Sequence, residues 1–293
     1  MTAFNDPNLP FLPPELEQEI FEIATLQHPD SIPNLLLVSR RVRQWVETIK
    51  YRTIFPHHQH SLSIRHRSTC SEDELLEAIE SKSKSADFFR ERVRHLFVEG
   101  LDETELETVF SVCDNIRSLV ILSELKHPGH FFSLKQLTTL RPIRLGLYFN
   151  ELVQATDTQS PHPLLTSVTH FDLFDMRLKD DIADRLALLP ALTHLSIWRS
   201  SATPGQVSAV LTSCRKLKAL VAIDNWRKEP FPEFHTEDAS YSADLRVVSV
   251  ILHNPQYLHE WVTGTYGGID FWARADVFIG KRRRGEIEAS TRH

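Results

Sequence analysis

Behind Pro13 and Pro14, the apolar residues Leu16, Ile20, Ile23 and Ala24 fall at i, i+4, i+7 and i+8. That spacing sets them on one stripe and predicts an amphipathic helix opened by proline. His28-Pro29-Asp30-Ser31 breaks the pattern, and Val38, Val42, Trp45, Val46 and Ile49 then repeat it, which predicts a second helix. The two helices must share one small core. A unit of roughly 45 residues has little core of its own, so it calls for a neighbour or partner over its remaining apolar surface.

A different pattern runs from Val93 to Val250. An apolar L-x-x-L-x-L recurs as Val93-Leu96-Val98, Ile116-Leu119-Ile121, Val168-Phe171-Leu173, Leu192-Leu195-Ile197, Leu217-Leu220-Ala222 and Leu245-Val248-Val250, with a weaker copy at Leu145 and Leu147. The central residues 96, 119, 145, 171, 195, 220 and 248 are separated by 23, 26, 26, 24, 25 and 28 positions. These steps fall in the range of about 20–29 residues expected of leucine-rich repeats. Each copy then supplies a short strand, and the intervening chain returns as a helix, with candidates at Ser71 to Phe88, Glu103 to Val112, Lys179 to Leu189 and Pro204 to Cys214. Ser61 to Ile64 is a candidate extra strand. An ordinary α/β sheet shares this alternation, but regular spacing over seven copies favours a solenoid. Cys113, three residues before Ile116, recurs as Cys214 before Leu217, and Leu165 and Leu189 hold that place in other copies. Those thiols read as packing groups.

The fold class expected is α/β. A helical module over residues 9–55 precedes a repeat solenoid over 56–264, a curved parallel sheet with outer helices, and a capping helix with a basic tail occupies 265–293. Phe271, Ala275, Phe278 and Ile279 form the stripe of that last helix, Asp270 is its N-cap, and it should close the last repeat. The run Lys281-Arg282-Arg283-Arg284 suits a nuclear signal or nucleic-acid patch, but more simply a solvated helix end favoured by the helix dipole.

Positions between the apolar strand residues point onto the concave surface. One column reads Glu99, Leu122, Tyr148, Phe174, Trp198, Ile223 and Ile251, and a second, mostly polar, runs from His95 through Arg144, His170 and His194 to Val247. A contiguous apolar patch marks an interaction site, with large aromatics as its anchors. Tyr148, Phe174 and Trp198, with His170 and His194 beside them, are therefore the candidate surface for a protein substrate. The competing reading covers that surface with the chain's own loops, such as Trp226 to Ser242.

Composition narrows the function. Over 293 residues, 41% hydrophobic and 25% charged positions are ordinary for a globular chain, and a net charge of -6 leaves no footprint for nucleic acid. Nine glycines and no nucleotide, zinc-protease or serine-hydrolase signature leave chemistry without a home. His57, His58 and His60, with His66 and Cys70 nearby, read as a polar connector rather than a metal site. No cofactor and no metal are expected. Three cysteines, an odd number, fit a reducing compartment, cytoplasmic or nuclear, and no membrane partner is expected, since no apolar run of about 18 residues occurs.

Leu12-Pro13-Pro14-Glu15-Leu16 with Ile20-Phe21 resembles the opening of an F-box, and Val38 to Arg43 with Tyr51 to Ile54 resembles its closing helix. Both halves are similar to the F-box-like proteins abundant in mushroom-forming fungi, as is the tail that starts Gly267-Gly268-Ile269-Asp270-Phe271-Trp272; the cysteine-containing copies resemble repeats often attached to F-boxes. The segment from Pro33 to Val38 is about a turn shorter than in typical members, which implies a stunted second helix. The resemblance implies binding of a Skp-type adaptor through Leu12, Pro13, Leu16, Ile20, Val38 and Val42, and hence a non-catalytic substrate-recognition adaptor of a cullin-RING (SCF-type) ubiquitin ligase. The alternative is a free-standing leucine-rich-repeat scaffold with a vestigial F-box. An exposed apolar surface from Leu12 to Phe21 fits the receptor; burial against the repeats fits the scaffold.

Overall fold

Short strands with apolar residues on both sides must be covered on both faces, and here they are. The computed structural model describes residues 12–28, 31–56, 70–122, 135–150, 152, 162–224, 234–236, 244–252 and 254–287. Its sheet comprises β1 (Thr53–Phe55), β2 (Cys70–Ser71), β3 (His95–Val98), β4 (Ser118–Ile121), β5 (Arg144–Leu147), β6 (His170–Leu173), β7 (His194–Trp198), β8 (Ala219–Asp224), β9 (Phe234–Thr236) and β10 (Val247–Ile251). The order is β2-β1-β3-β4-β5-β6-β7-β8-β10-β9; the pairings are parallel except that β9 runs antiparallel to β10. The protein is thus an α/β molecule built on nine parallel strands.

The repeated apolar position becomes one continuous rung: Ile54, Leu96, Leu119, Leu145, Phe171, Leu195, Leu220 and Val247 are successive partners across the sheet. The rung faces a layer of return helices, α4 (Glu72–Glu80), α5 (Ala86–Arg92), α6 (Glu103–Val112), α7 (Lys135–Thr139), α8 (Ile182–Ala187) and α9 (Pro204–Ser213). Local chemistry sets where these start. Ser71, Asp102 and Thr203 each cap a helix with their side chains and donate their own backbone amides to the side chains of Glu74, Glu105 and Gln206 in return, so two orphan backbone donors are satisfied at each start. The single helix expected from Ser71 to Phe88 is two, because the chain turns at Lys82 (φ 53°) and Ser85 caps a new start. Cys113 and Cys214 close α6 and α9 as buried free thiols, and burial pushes Cys214 up to about 11 and Cys113 further still.

The last copy differs from its expected register. Val247, not Val248, pairs with Leu220, and Leu245 is exposed. A bond from the Val247 amide to the Asp244 carbonyl, 3.0 Å, tightens the turn before the strand by one residue. With a period of two, that slip exchanges the faces of the whole strand: Val248 and Val250 join the far side of the sheet, and Val247 joins the helix side.

At the N-terminus stand α1 (Pro14–Gln27), α2 (Ile32–Leu35) and α3 (Arg40–Lys50). The second helix is indeed short. Ile32, Val42 and Val46 form the small core, with Phe21, Leu35, Leu36 and Trp45 packed on it. Lys84 meets Glu47 at 2.7 Å, and Tyr51 lies edge-on to Phe88 at 5.2 Å, so the unit is tied to α5 before the chain enters β1. Strand β1 itself lies inside the stretch read as the helical module. Among the described residues no helix is long and apolar enough to cross a membrane.

The C-terminal helix does not simply close the last repeat. Helices α10 (Asn254–Thr265) and α11 (Phe271–Arg283) lie across the second face of the sheet. Trp261 of α10 meets Phe97 of β3 edge-on at 5.4 Å, and Thr265 bonds Thr53 of β1 at 3.3 Å. Helix α11 starts with Asp270, which caps it through the Ala273 amide at 2.9 Å and pairs with Arg144 of β5. It ends with Arg282, which donates to the carbonyls of Val247 (2.7 Å) and Leu245 (3.3 Å). Part of the basic run is therefore buried against the sheet rather than solvated.

Gly264 lies where α10 passes the Arg144–Asp270 pair: a Cβ there would sit 2.3 Å from the Asp270 carboxylate and 2.6 Å from the Arg144 guanidinium. Gly264→Ala should lower the unfolding free energy by about 1–3 kcal/mol, the range for forcing an extra methyl group into a packed site. Gly205→Ala, whose Cβ meets only Thr203 at 4.0 Å, should be neutral or gain up to about 1 kcal/mol of helix stability. Urea denaturation of both decides it, and an unchanged midpoint for Gly264→Ala would remove this pair from its anchoring role.

Candidate functional site

The residues just beyond the strands converge at the edge where the parallel strands end, the usual place for a ligand in an open α/β sheet. A cavity of about 300 Å³ lies there. Its sheet side is built by Phe97, Leu122, Tyr148, Phe174 and Trp198, and α10 contributes Tyr257 and Leu258. Glu99, Met176 and Ser200 complete the lining. Tyr148, Phe174 and Trp198, expected on a broad concave surface, thus share one pocket.

The rings are held by what lies around them. Gly146 leaves room for the Phe174 ring over β5: a Cβ at that position would be 2.8 Å from Phe174 Cε2. Phe174 in turn stands perpendicular to Tyr257 at 5.5 Å, and Tyr148 stands at 64° to Phe174 with centroids 6.3 Å apart. Offset edge contacts of this kind fix ring orientation as well as burying area. The turn after Trp198 is closed by the Ser201 hydroxyl donating to the Trp198 carbonyl at 2.6 Å.

Two buried carboxylates pin the loops that carry the pocket. Asp175 accepts from the amides of Phe149 (2.7 Å) and Asn150 (3.0 Å), just after Tyr148. Glu72 accepts from the Glu99 amide at 2.7 Å. Burial raises both acids above the ordinary carboxylate range, Glu72 to about 7, while the backbone donors work in the opposite direction.

His170 and His194 do not join this site. They open β6 and β7, four residues before Phe174 and Trp198, a separation of about 13 Å along a strand. Their rings stack at 4.1 Å and 4°, with Trp272 of α11 edge-on to both. His194 Nε2 meets Asp276 at 3.1 Å. Burial, then the neighbouring His194 and Arg144, push His170 down to about 3, so it is neutral at ordinary pH. The pair seats α11, with His194 buried and His170 half-buried. The cover foreseen as a competing reading exists, but α10 and α11 supply it; of Trp226 to Ser242, only β9 lies within the described residues.

Periodicity missed the positions enclosed by the repeated apolar pairs. Phe97, Val120, Gly146, Asp172, Ser196 and Val221 form a third column, apolar at its ends and polar in the middle, beneath α10 and α11. Asp172 accepts from the Ser196 hydroxyl, and the Tyr257 side chain lies against it. Burial pushes Asp172 up to about 6. No signal placed Tyr257 or Leu258 in the pocket either.

On the N-terminal unit, Leu12, Pro13, Leu16, Ile20 and Val38 are all exposed, the four large ones at 47–57%. Val42 is not on that surface: at 1% exposure it packs with Ile32 and Val46. His57, His58, His60 and His66 lie outside the described residues, among which no cluster of metal-ligating side chains occurs. Compared with models of known families and with curated proteins, the chain matches none.

The buried acid gives a pH signature. The folded state keeps Asp172 protonated up to about pH 6, whereas an unfolded aspartate loses its proton near pH 4. Between those values the folded state holds more protons, so Asp172 makes stability fall as pH rises through the window. Asp172→Asn removes that dependence, and its stability relative to wild type should rise by on the order of 2–3 kcal/mol from pH 4 to pH 6.5. Parallel denaturation curves at the two pH values would contradict this.

Proposed function

We propose that this chain is a non-catalytic substrate-recognition adaptor of a cullin-RING (SCF-type) ubiquitin ligase, with an F-box-like module at its N-terminus and leucine-rich repeats behind it. The observation that carries the reading is the apolar surface of Leu12, Pro13, Leu16, Ile20 and Val38. Apart from Phe21, the apolar residues that resemble an F-box opening are left outside the protein's own core, and Leu37, Ile23 and Leu26 are exposed on the same two segments. Fully burying one such side chain is worth about 1.5–3 kcal/mol. Several half-exposed ones together supply several kcal/mol to a partner, of the size needed to offset the costs of association.

The strand-to-strand steps of 23 to 27 positions, from Leu96 to Val247, suit leucine-rich repeats. Substrate contact falls to the aromatic pocket, because the sheet face that would otherwise serve is covered. Ubiquitin transfer belongs to other subunits, and this chain contributes proximity and orientation.

The test is capture of a purified Skp-type adaptor by the full chain, beside a Leu12→Asp, Ile20→Asp double variant. Both side chains are about half exposed, so the variant keeps its fold, which circular dichroism checks. Wild type should capture the adaptor and the variant should lose at least tenfold in affinity. Absence of capture by wild type would replace the ligase reading with a free-standing scaffold.

A further inference from the structure

The edge of the sheet opposite the aromatic pocket carries a row of like charges. Arg52, Arg94 and Arg117 hold the same position, just ahead of β1, β3 and β4, and their main chains are joined in series: the Arg94 amide donates to the Arg52 carbonyl at 3.0 Å and the Arg117 amide to the Arg94 carbonyl at 2.7 Å. Ile143, ahead of β5, continues the row through its amide on the Arg117 carbonyl at 2.8 Å, and it is 47% exposed. Adjacent strands lie about 4.8 Å apart, so the three arginines start within about 10 Å of one another. Like charges side by side across strands cost free energy. Other arginines near strand ends each hold an acid: Arg144 pairs with Asp270, Arg199 with Asp224 and Arg246 with Asp244. Among the described residues no acid pairs with Arg52, Arg94 or Arg117. Their fields converge: burial, then Arg117, Arg92 and Arg52, push Arg94 down, ahead of the opposing effect of Glu91.

We infer that this edge docks an acidic segment of a partner polypeptide, laid across β1, β3 and β4 with carboxylate side chains on the arginines and an apolar side chain on Ile143. The inference goes beyond the adaptor reading and does not rest on it. The geometry selects the occupant. Arg94 donates to the carbonyls of Arg90 and Asn115, both at 3.3 Å, so its head is held in place and cannot gather with its neighbours around one phosphate. Arg52 and Arg117 are exposed on either side of it. A spread row suits several carboxylates, each of which an arginine meets with two parallel hydrogen bonds. Alternate side chains of an extended peptide fall on one side about 6.8 Å apart, within reach of long side chains set one strand apart. A nucleic-acid strand needs a longer basic track. Here Ile143 ends the row, Asp114 stands beside Asn115 in the grip of Arg90, and the whole chain carries a charge of -6. Exposed ion pairs add little each, so the row orients and captures the segment more than it tightens the complex.

The experiment is fluorescence-anisotropy titration of the full chain, without adaptor and at low salt, with four labelled probes: a short peptide of alternating glutamate and glycine ending in leucine, the same peptide with glutamine for every glutamate, that glutamine peptide with one central phosphoserine, and a thymidine oligonucleotide of similar length. The glutamate peptide should bind at least tenfold more tightly than the glutamine peptide and at least threefold more tightly than the other two, and its affinity should fall as salt is raised. Arg52→Gln combined with Arg117→Gln should weaken it at least fivefold and Ile143→Ser twofold to threefold, while Arg215→Gln, at an exposed arginine ahead of β8, leaves it unchanged. Both arginines of the double variant are exposed, so it keeps its fold, which circular dichroism checks. Equal binding of the glutamine peptide, wild-type affinity in the double variant, an equal loss in Arg215→Gln, or binding of the phosphoserine peptide or the oligonucleotide as tight as that of the glutamate peptide would each overturn the proposal. Because the adaptor is absent, such a failure is separate from any failure of adaptor capture.

Discussion

A parallel sheet has to be covered on both faces, because its strands are joined by crossovers and carry apolar residues in both directions. In this protein the two covers come from different sources. The return helices between strands cover one face, as any β–α alternation provides. The other face falls to the last two helices of the chain, α10 and α11, which reach from β1 to β10. Their position depends on a few polar contacts set among apolar ones. Arg144 holds Asp270 at the start of α11, the stacked His170 and His194 meet Trp272 and Asp276 in its middle, and Arg282 binds two strand carbonyls at its end. Apolar burial supplies most of the stabilisation, yet without direction. The polar contacts, which cost free energy if left unpaired, select one placement of the helix pair.

The pocket follows from the limits of that cover. Tyr257 and Leu258 mark where α10 still lies over the strands. Beyond them, the residues leaving β5, β6 and β7 carry aromatic rings past the sheet edge. Gly146 lets Phe174 drop onto the sheet, which deepens the cavity instead of filling it. Asp175 and Glu72 fix the loops from below. A recess made this way is preorganised, so an occupant is spared much of the ordering cost that mobile walls would impose.

Much of this was legible in the residues. The return helices expected from Glu103 and from Pro204 start where α6 and α9 do, and the repeated apolar position marked the rung that crosses the sheet from Leu96 to Leu220. What was not legible had physical reasons. Alternation says that neighbouring residues face opposite ways but not what lies over each face, so the pattern alone could not distinguish a free concave surface from one covered by α10 and α11. Register at β10 was set by a turn at Asp244, a local bond with no periodic trace. His170 and His194 looked like neighbours of the aromatic anchors because columns were read side by side, whereas four residues along a strand separate them. The stripe of α1 was legible, but helical spacing alone did not say which way it faces: Leu16, Ile20 and Ile23 face outward, while Phe21 packs on the small core and Thr25 is buried.

That ambiguity arises because two kinds of apolar surface look alike in a sequence. The second face of the sheet and the outer stripe of α1 are both rows of large apolar residues. The first is satisfied within the chain, because two helices of matching length follow the last strand and place Trp261, Phe271, Trp272 and Phe278 against it. The second has no such cover among the described residues. Turning α1 about its axis would bury Leu16 and Ile20, but it would break the contacts of Phe21 with Trp45 and of Glu17 with Arg41. The observed orientation therefore trades burial within the chain for an exposed stripe with a fixed shape. A helix held in that orientation by its inward side is suited to association, since its apolar face is presented before any partner arrives.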